Sequence, residues 1–202
     1  MKFHIRFSTQ DISYSILFAA LTAVGSLVTI PLPIIPITLQ TFFVYLSGVI
    51  LGSKRGAFSQ ILYVLIGLVG VPVFSGFKSG ISTFFGPTGG YLIGFIVGSY
   101  IIGKIIEYLR FNGFKSKKHY QFSVVVSLIV GTLIIYLFGV LQLSFILGGF
   151  QTFDISNAVK FGVIPFLLGD AIKIICVSII ILNKNIILLT QRINKIYIIK
   201  NN

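Results

Sequence analysis

An all-α integral membrane protein, built as a bundle of six transmembrane helices, is the fold class this sequence predicts. Three observations carry that expectation. Hydrophobic residues fill 55% of the 202 positions and charged residues only 10%, against about 25% charged in an ordinary soluble domain. The mean hydropathy is +1.00. Six stretches approach the roughly 20 apolar residues that a helix needs to cross a bilayer. The chain therefore reads as a single membrane domain over 1–202.

The expected spans are 12–30, 36–52, 57–74, 88–106, 122–147 and 161–182. The first follows Lys2 and Arg6, an arrangement that resembles the start of a signal peptide. Its apolar run is longer than a signal core, and five more spans follow, so it is expected to remain as the first span. The second is short. The segments beginning at Tyr45 and Tyr91 look alike (YLSGVILG and YLIGFIVG), but no longer repeat accompanies them.

The basic residues set the orientation. With both termini in the cytoplasm, the inner segments hold Lys2, Arg6, Lys54, Arg55, Lys104, Arg110, Lys115, Lys117, Lys118, Lys184, Arg192, Lys195 and Lys200. The outer loops hold only Lys78 and Lys160, and Lys173 falls inside the sixth span. Such asymmetry is the positive-inside pattern and requires an even number of spans. The net charge of +12 is thus read as topology and contact with the lipid bilayer. Nucleic-acid binding is excluded, because the basic residues do not interleave with aromatics in a polar groove. The single cysteine, Cys176, can form no intramolecular disulfide, has no zinc-ligand spacing, and is expected as a small buried residue.

Two outer loops stand out. Pro31-Leu-Pro-Ile-Ile-Pro36 has three prolines and no charge, which stops helix and stiffens a short connection. The segment from Phe74 to Pro87 mixes apolar and small residues, as a binding loop does. Small residues at four-residue spacing (Ala19 and Ala23, Gly48 and Gly52, Gly94 and Gly98) favour close helix packing in a membrane.

Of four acidic residues, Asp11, Glu107 and Asp154 lie near span ends, where Asp11 can cap a helix and all three can be solvated. Asp170 lies inside the sixth span with Lys173 three residues on, a spacing that puts both on one helix face. Each charge costs about 2.5–3.5 kcal/mol at a span centre. The pair is either a structural lock between helices or a ligand site. As a site it presents acceptors beside donors, which suits a urea-like or amide ligand. Phe85-Gly-Pro-Thr-Gly-Gly-Tyr91 opens the fourth span. There Gly86 and Gly90 permit close backbone approach, Thr88 can cap the helix, and Tyr91 offers a hydroxyl and a flat face. The same segment can equally be a tight helix entry. Thr38, Gln40 and Thr41 are polar at the start of the second span, and mark either the interface or the outer end of a cavity. No intramembrane nucleophile has a histidine partner, and no phosphate-loop motif is present, so enzymatic and ATP-hydrolysing roles are disfavoured.

Six blocks together resemble the BioY family, the biotin-specific substrate-binding (S) component of energy-coupling factor (ECF) transporters. They are Phe18 to Gly25 (FAALTAVG), Pro31 to Phe43 (PLPIIPITLQTFF), Gly52-x-Lys-Arg-Gly56, Gly86 to Tyr91 (GPTGGY), Gly162 to Phe166 (GVIPF) and Gly169-Asp-x-x-Lys173. The region 110–158 carries little of the family pattern. The resemblance implies an S-component-like bundle of six helices in a bacterial cytoplasmic membrane. It implies no cofactor, with biotin as the transported ligand. Asp170 and Lys173 would meet the ureido ring of biotin. Tyr91, Gly86, Thr88 and Gly90 would approach from the fourth span, and Thr38 and Gln40 would help to close the pocket. Ala19 and Ala23 match a small-residue pair that docks on a transmembrane coupling subunit, with two separate ATPase subunits supplying energy. Lys78, beside Ser79, departs from the family in a loop that is more often small or polar. It either attracts the carboxylate of biotin or faces water. The fourth span lacks an arginine after Tyr91, leaving that carboxylate without an assigned contact. The alternatives are an S component for another small vitamin, or a membrane-embedded enzyme.

Overall fold

The computed structural model describes residues 7–111, 117–149, 153–183, 185–187, 189–190 and 192–193. Helix α1 (Thr9–Leu27) opens on a capping box: Ser8 Oγ accepts from the Asp11 backbone N–H, and the Asp11 carboxylate accepts from the Ser8 N–H. Two orphan amides are thereby satisfied. The proline-rich connection is a small hairpin, with β1 (Thr29–Ile30) antiparallel to β2 (Ile37–Thr38) in the register Thr29↔Thr38. Helix formation in the second segment therefore begins at Gln40, four residues later than expected.

Helix α2 (Gln40–Leu51) is apolar on every side, and Val44 to Leu51 are all buried. An all-round apolar helix belongs in the interior, and α2 is packed by α1, α3, α5 and α8. It ends at Gly52, whose φ of 82° breaks the chain into α3 (Ser53–Leu68). A short helix α4 (Gly80–Phe84) follows within the 74–87 loop. Helix α5 (Gly89–Phe111) then runs against α6 (Lys117–Gly148). Gly90, Gly94 and Gly98 make this contact possible: a Cβ at Gly94 would lie 2.8 Å from Ile135 Cα, and one at Gly98 3.1 Å from the Gly131 carbonyl. The expected packing role of the Gly94 and Gly98 pair is what the fold shows. Glu107 of α5 caps α3 instead of facing water, accepting from Ser53 N–H at 2.7 Å and from its hydroxyl.

The sixth segment is not one helix. Helix α7 (Ile155–Gly162), a 3-10 turn (Ile164–Phe166) and α8 (Leu167–Ile180) replace the expected 161–182. Pro165 supplies no N–H to continue the ladder. Asp154 caps α7, and the Asn157 backbone N–H, then its side chain, hold that carboxyl below its ordinary pKa.

The radial pattern is that of a membrane protein. The inward face of α1 carries Ser15, Thr22 and Ser26, whereas Ile16, Leu17 and Val24 face out. Inside, Gln60 Nε2 lies 3.2–3.3 Å from the hydroxyls of Thr22, Ser47 and Ser59, polar contacts of the kind that join helices in lipid. Among the described residues, the helical runs Gly89–Leu109, Lys118–Gly148 and Ile155–Ile180 are long and apolar enough to cross a membrane, and Gln40–Leu51 is shorter.

Three expectations need correction. Asp11 is not solvated: it is 4% exposed and pairs with the buried Arg55 at 3.2 Å. Cys176 is on the outside of α8, not buried, because its helix turns Asp170, Lys173 and Val177 inward. Ala19 is only 1% exposed and faces the bundle, so it presents no docking surface here. Ala23 is half-buried, and Ala20 and Val24 are exposed on the outer side. Lys2, Arg6, Lys115, Lys184, Lys195 and Lys200 of the charge asymmetry lie outside the described residues.

Candidate functional site

Three helices place polar groups around one carboxylate. Asp170 stands in the first turn of α8, 3% exposed, and Lys173 one turn on is 8% exposed. The Lys173 ammonium donates to Asp170 Oδ1 at 2.9 Å. Thr41, in the first turn of α2, donates its hydroxyl to the same oxygen at 2.9 Å and accepts from Lys173 at 2.8 Å. Tyr136 of α6 donates to Asp170 Oδ2 at 2.6 Å.

Counting capacity shows what is left. An ionised carboxylate offers about four acceptor positions and an ammonium three donors. Asp170 receives three donors from Lys173, Thr41 and Tyr136, and Lys173 uses two of its own on Asp170 and Thr41. One acceptor position and one N–H therefore stay available. A ligand carrying an N–H beside a carbonyl, as a urea or lactam does, completes both at once.

The pair opens onto a narrow cavity of about 50 Å³. Its walls are apolar and aromatic, including Phe74, Tyr91, Phe95 and Phe166, while Thr38, Gln40, Ser75 and Thr88 add polar atoms. The Tyr91 and Phe166 ring centroids lie 6.4 Å apart. Apolar walls with a few polar groups are the usual make-up of a small-molecule site.

The expected residues divide accordingly. Asp170, Lys173, Tyr91, Thr88, Thr38 and Gln40 line this cavity together. Tyr91 presents its ring, because its hydroxyl donates to the Gly162 carbonyl at 2.7 Å. Gln40 is a brace as well as a wall: its Oε1 accepts from Thr38 at 2.7 Å and its Nε2 donates to Tyr63, which in turn holds the Val73 carbonyl at 2.9 Å. Thr88 immediately precedes α5, and its carbonyl accepts from the Tyr91 N–H. Lys78 and Gly86 line a second cavity that shares Thr88 with the first. Ser79 lines neither, and its carbonyl accepts from the Thr83 hydroxyl. Gly90 is packed on α6, where a side chain would collide with the Phe138 carbonyl.

Two residues were missed. Tyr136 lies in the segment with little family pattern, and its signal was a lone phenol within the aliphatic run Leu-Ile-Ile-Tyr136-Leu-Phe. Gln142 is the other, a primary amide within a span. Its Nε2 donates to the Phe84 and Gly86 carbonyls at 2.9 and 2.7 Å, tying the 74–87 loop to α6.

The chain matches the family model described as BioY family over residues 1–188. It is 41% identical, over 82% of its length and 90% of the relative's, to a Thermotoga maritima protein named Biotin transporter BioY. A Pyrococcus horikoshii protein named Probable biotin transporter BioY is 37% identical over 81% of this chain and 89% of its own. The fold is similar to a solved structure described as the S-component for biotin from an ECF-type ABC transporter. That match has a TM-score of 0.73 at 24% identity and covers 88% of this chain and 93% of that chain.

Proposed function

The chain belongs to the BioY family, and on that premise we propose that it captures biotin at the Asp170–Lys173 site as the S component of an ECF-type importer. The observation that carries the reading is the count of unfilled positions on the buried pair. One acceptor on Asp170 and one donor on Lys173 match one N–H and the carbonyl of the ureido ring. The cavity walls take the apolar remainder of the bicycle. A flavin or thiamine ring would need a wider aromatic slot or more anionic groups. The role is transport and not catalysis, as the names of the relatives have it.

The remaining parts of the reading follow from it. The protein lies in the bacterial cytoplasmic membrane as a multi-pass bundle of six spans, with both termini inside. Helices α1, α2, α3, α5, α6 and the α7–α8 unit supply the six. At about 18 Å, α2 is shorter than a bilayer core of about 30 Å, which its burial among other helices makes tolerable. A coupling subunit docks outside α1, and two ATPase subunits supply the energy that reorients the site. Reorientation needs partners, because a ligand shifts an equilibrium only by its differential affinity for the two states.

The test is binding of labelled biotin, riboflavin and thiamine to the protein purified in detergent. Saturable binding of biotin alone is expected, and its loss by about 10- to 100-fold in Asp170→Asn, the range for a hydrogen bond to a charged group. No biotin binding above background would end the reading.

A further inference from the structure

We propose that Lys78 forms a carboxylate subsite at the outer end of the ligand cavity, which makes the protein select the free acid of its ligand over the neutral amide. This rests on the biotin reading above. Between Ile34 and the start of α5 lies a cavity of about 270 Å³, lined by Lys78, Ser82, Thr83 and the Gly86–Thr88 turn. Thr88 also lines the Asp170 cavity, so the two adjoin. Among the described residues, the basic ones that line either space are Lys173 and Lys78. Lys173 is paired with Asp170, so the inner cavity is neutral as a whole and suits an uncharged ureido ring. A carboxylate at the other end of a short aliphatic chain finds its cation only at Lys78. Among the described residues the ion pairs are Arg55 with Asp11 and Lys173 with Asp170, so no acidic residue competes for the Lys78 ammonium.

The backbone holds Lys78 at this place. Phe74 is buried, packs edge-on against Tyr63 at 5.8 Å, and donates its N–H to the Lys78 carbonyl at 2.9 Å. The turn between them passes through Gly76 (φ 73°) and Phe77 (φ 58°). A bulky residue takes that left-handed conformation only where its surroundings compel it. Gln142 donates to the carbonyl of Gly86, which lines the same cavity, occupying an oxygen that would otherwise repel an anion. The hydroxyls of Ser82 and Thr88 complete a lining fit for a carboxylate.

The experiment compares biotin with biotinamide on the full chain in detergent, as wild type, Lys78→Gln, Lys78→Arg and Lys160→Gln. Lys160 lines neither cavity, so its variant controls for loss of one positive charge. Lys78 is solvent-exposed, so a preference of about three- to tenfold for the free acid is expected in the wild type. That preference should shrink with added salt, vanish in Lys78→Gln, and survive in Lys78→Arg and Lys160→Gln. Binding of biotinamide should be the same in all four proteins. Equal binding of biotin by wild type and Lys78→Gln would overturn the subsite and leave the biotin reading intact, as would an equal loss of both ligands. Wild type that binds neither ligand would overturn both.

Discussion

Among the described residues, two buried ion pairs differ in what they face. Asp11 and Arg55 join the start of α1 to the start of α3, and Arg55 also donates to the Ile193 carbonyl at 3.1 Å. Asp11 takes three donors, as Asp170 does: Oδ2 accepts from the Ser8 amide and hydroxyl, and Oδ1 accepts from Arg55. Neither residue lines the two cavities described above. Asp170 and Lys173 are equally buried, yet their unfilled positions face a cavity. Burying an ion pair therefore marks a functional site only when its hydrogen-bonding capacity is left open toward space a ligand can enter. We read the closed pair as a clamp and propose the open pair as the receptor.

Breaking the clamp should have the largest effect, and it should be on stability. Arg55→Ala leaves Asp11 buried without its partner, at a cost of about 3–5 kcal/mol. A thermal melt in detergent should show a large fall, while the fraction that stays folded binds biotin with unchanged affinity. Replacing both partners, as Asp11→Leu with Arg55→Met, should recover most of that loss, because an apolar pair of similar volume is often neutral or better. Failure of the double variant to recover would mean that the clamp does more than neutralise charge.

Opening the receptor further should act on affinity instead. Tyr136→Phe removes the donor that fixes Asp170 Oδ2. One hydrogen bond of about 0.5–1.5 kcal/mol predicts biotin binding weaker by about three- to tenfold, with little change in melting temperature. An unchanged affinity would assign Tyr136 to packing alone.

The same contrast explains what was legible in the sequence. Asp170 and Lys173 stood out because a charge inside an apolar run is costly and needs a reason. Thr41 and Tyr136 complete the site but leave no such mark, since hydroxyl groups are common in spans and reveal their partners only in three dimensions. Asp11 misled for the opposite reason. It lies at a helix start, where a solvated carboxylate is ordinary, and its partner is 44 positions away. The first five apolar segments overlap helices α1, α2, α3, α5 and α6, but hydropathy passed over the break at Gly162 to Phe166, although Pro165 was visible there. The inward face of α1 was also readable: its small and polar residues (Ser15, Ala19, Thr22, Ser26) share one side, and the large aliphatic residues turn outward. That pattern places Ala19 inside the bundle.

The open pair is expected to hold the ligand and the closed pair is not. That expectation is tested most directly by titrating biotin into Asp170→Asn and into the Asp11→Leu, Arg55→Met double variant, each confirmed folded by its melt. Affinity should be lower by about 10- to 100-fold in the first and keep the wild-type value in the second. Equal affinities in the two proteins, or the loss appearing in the second, would contradict it.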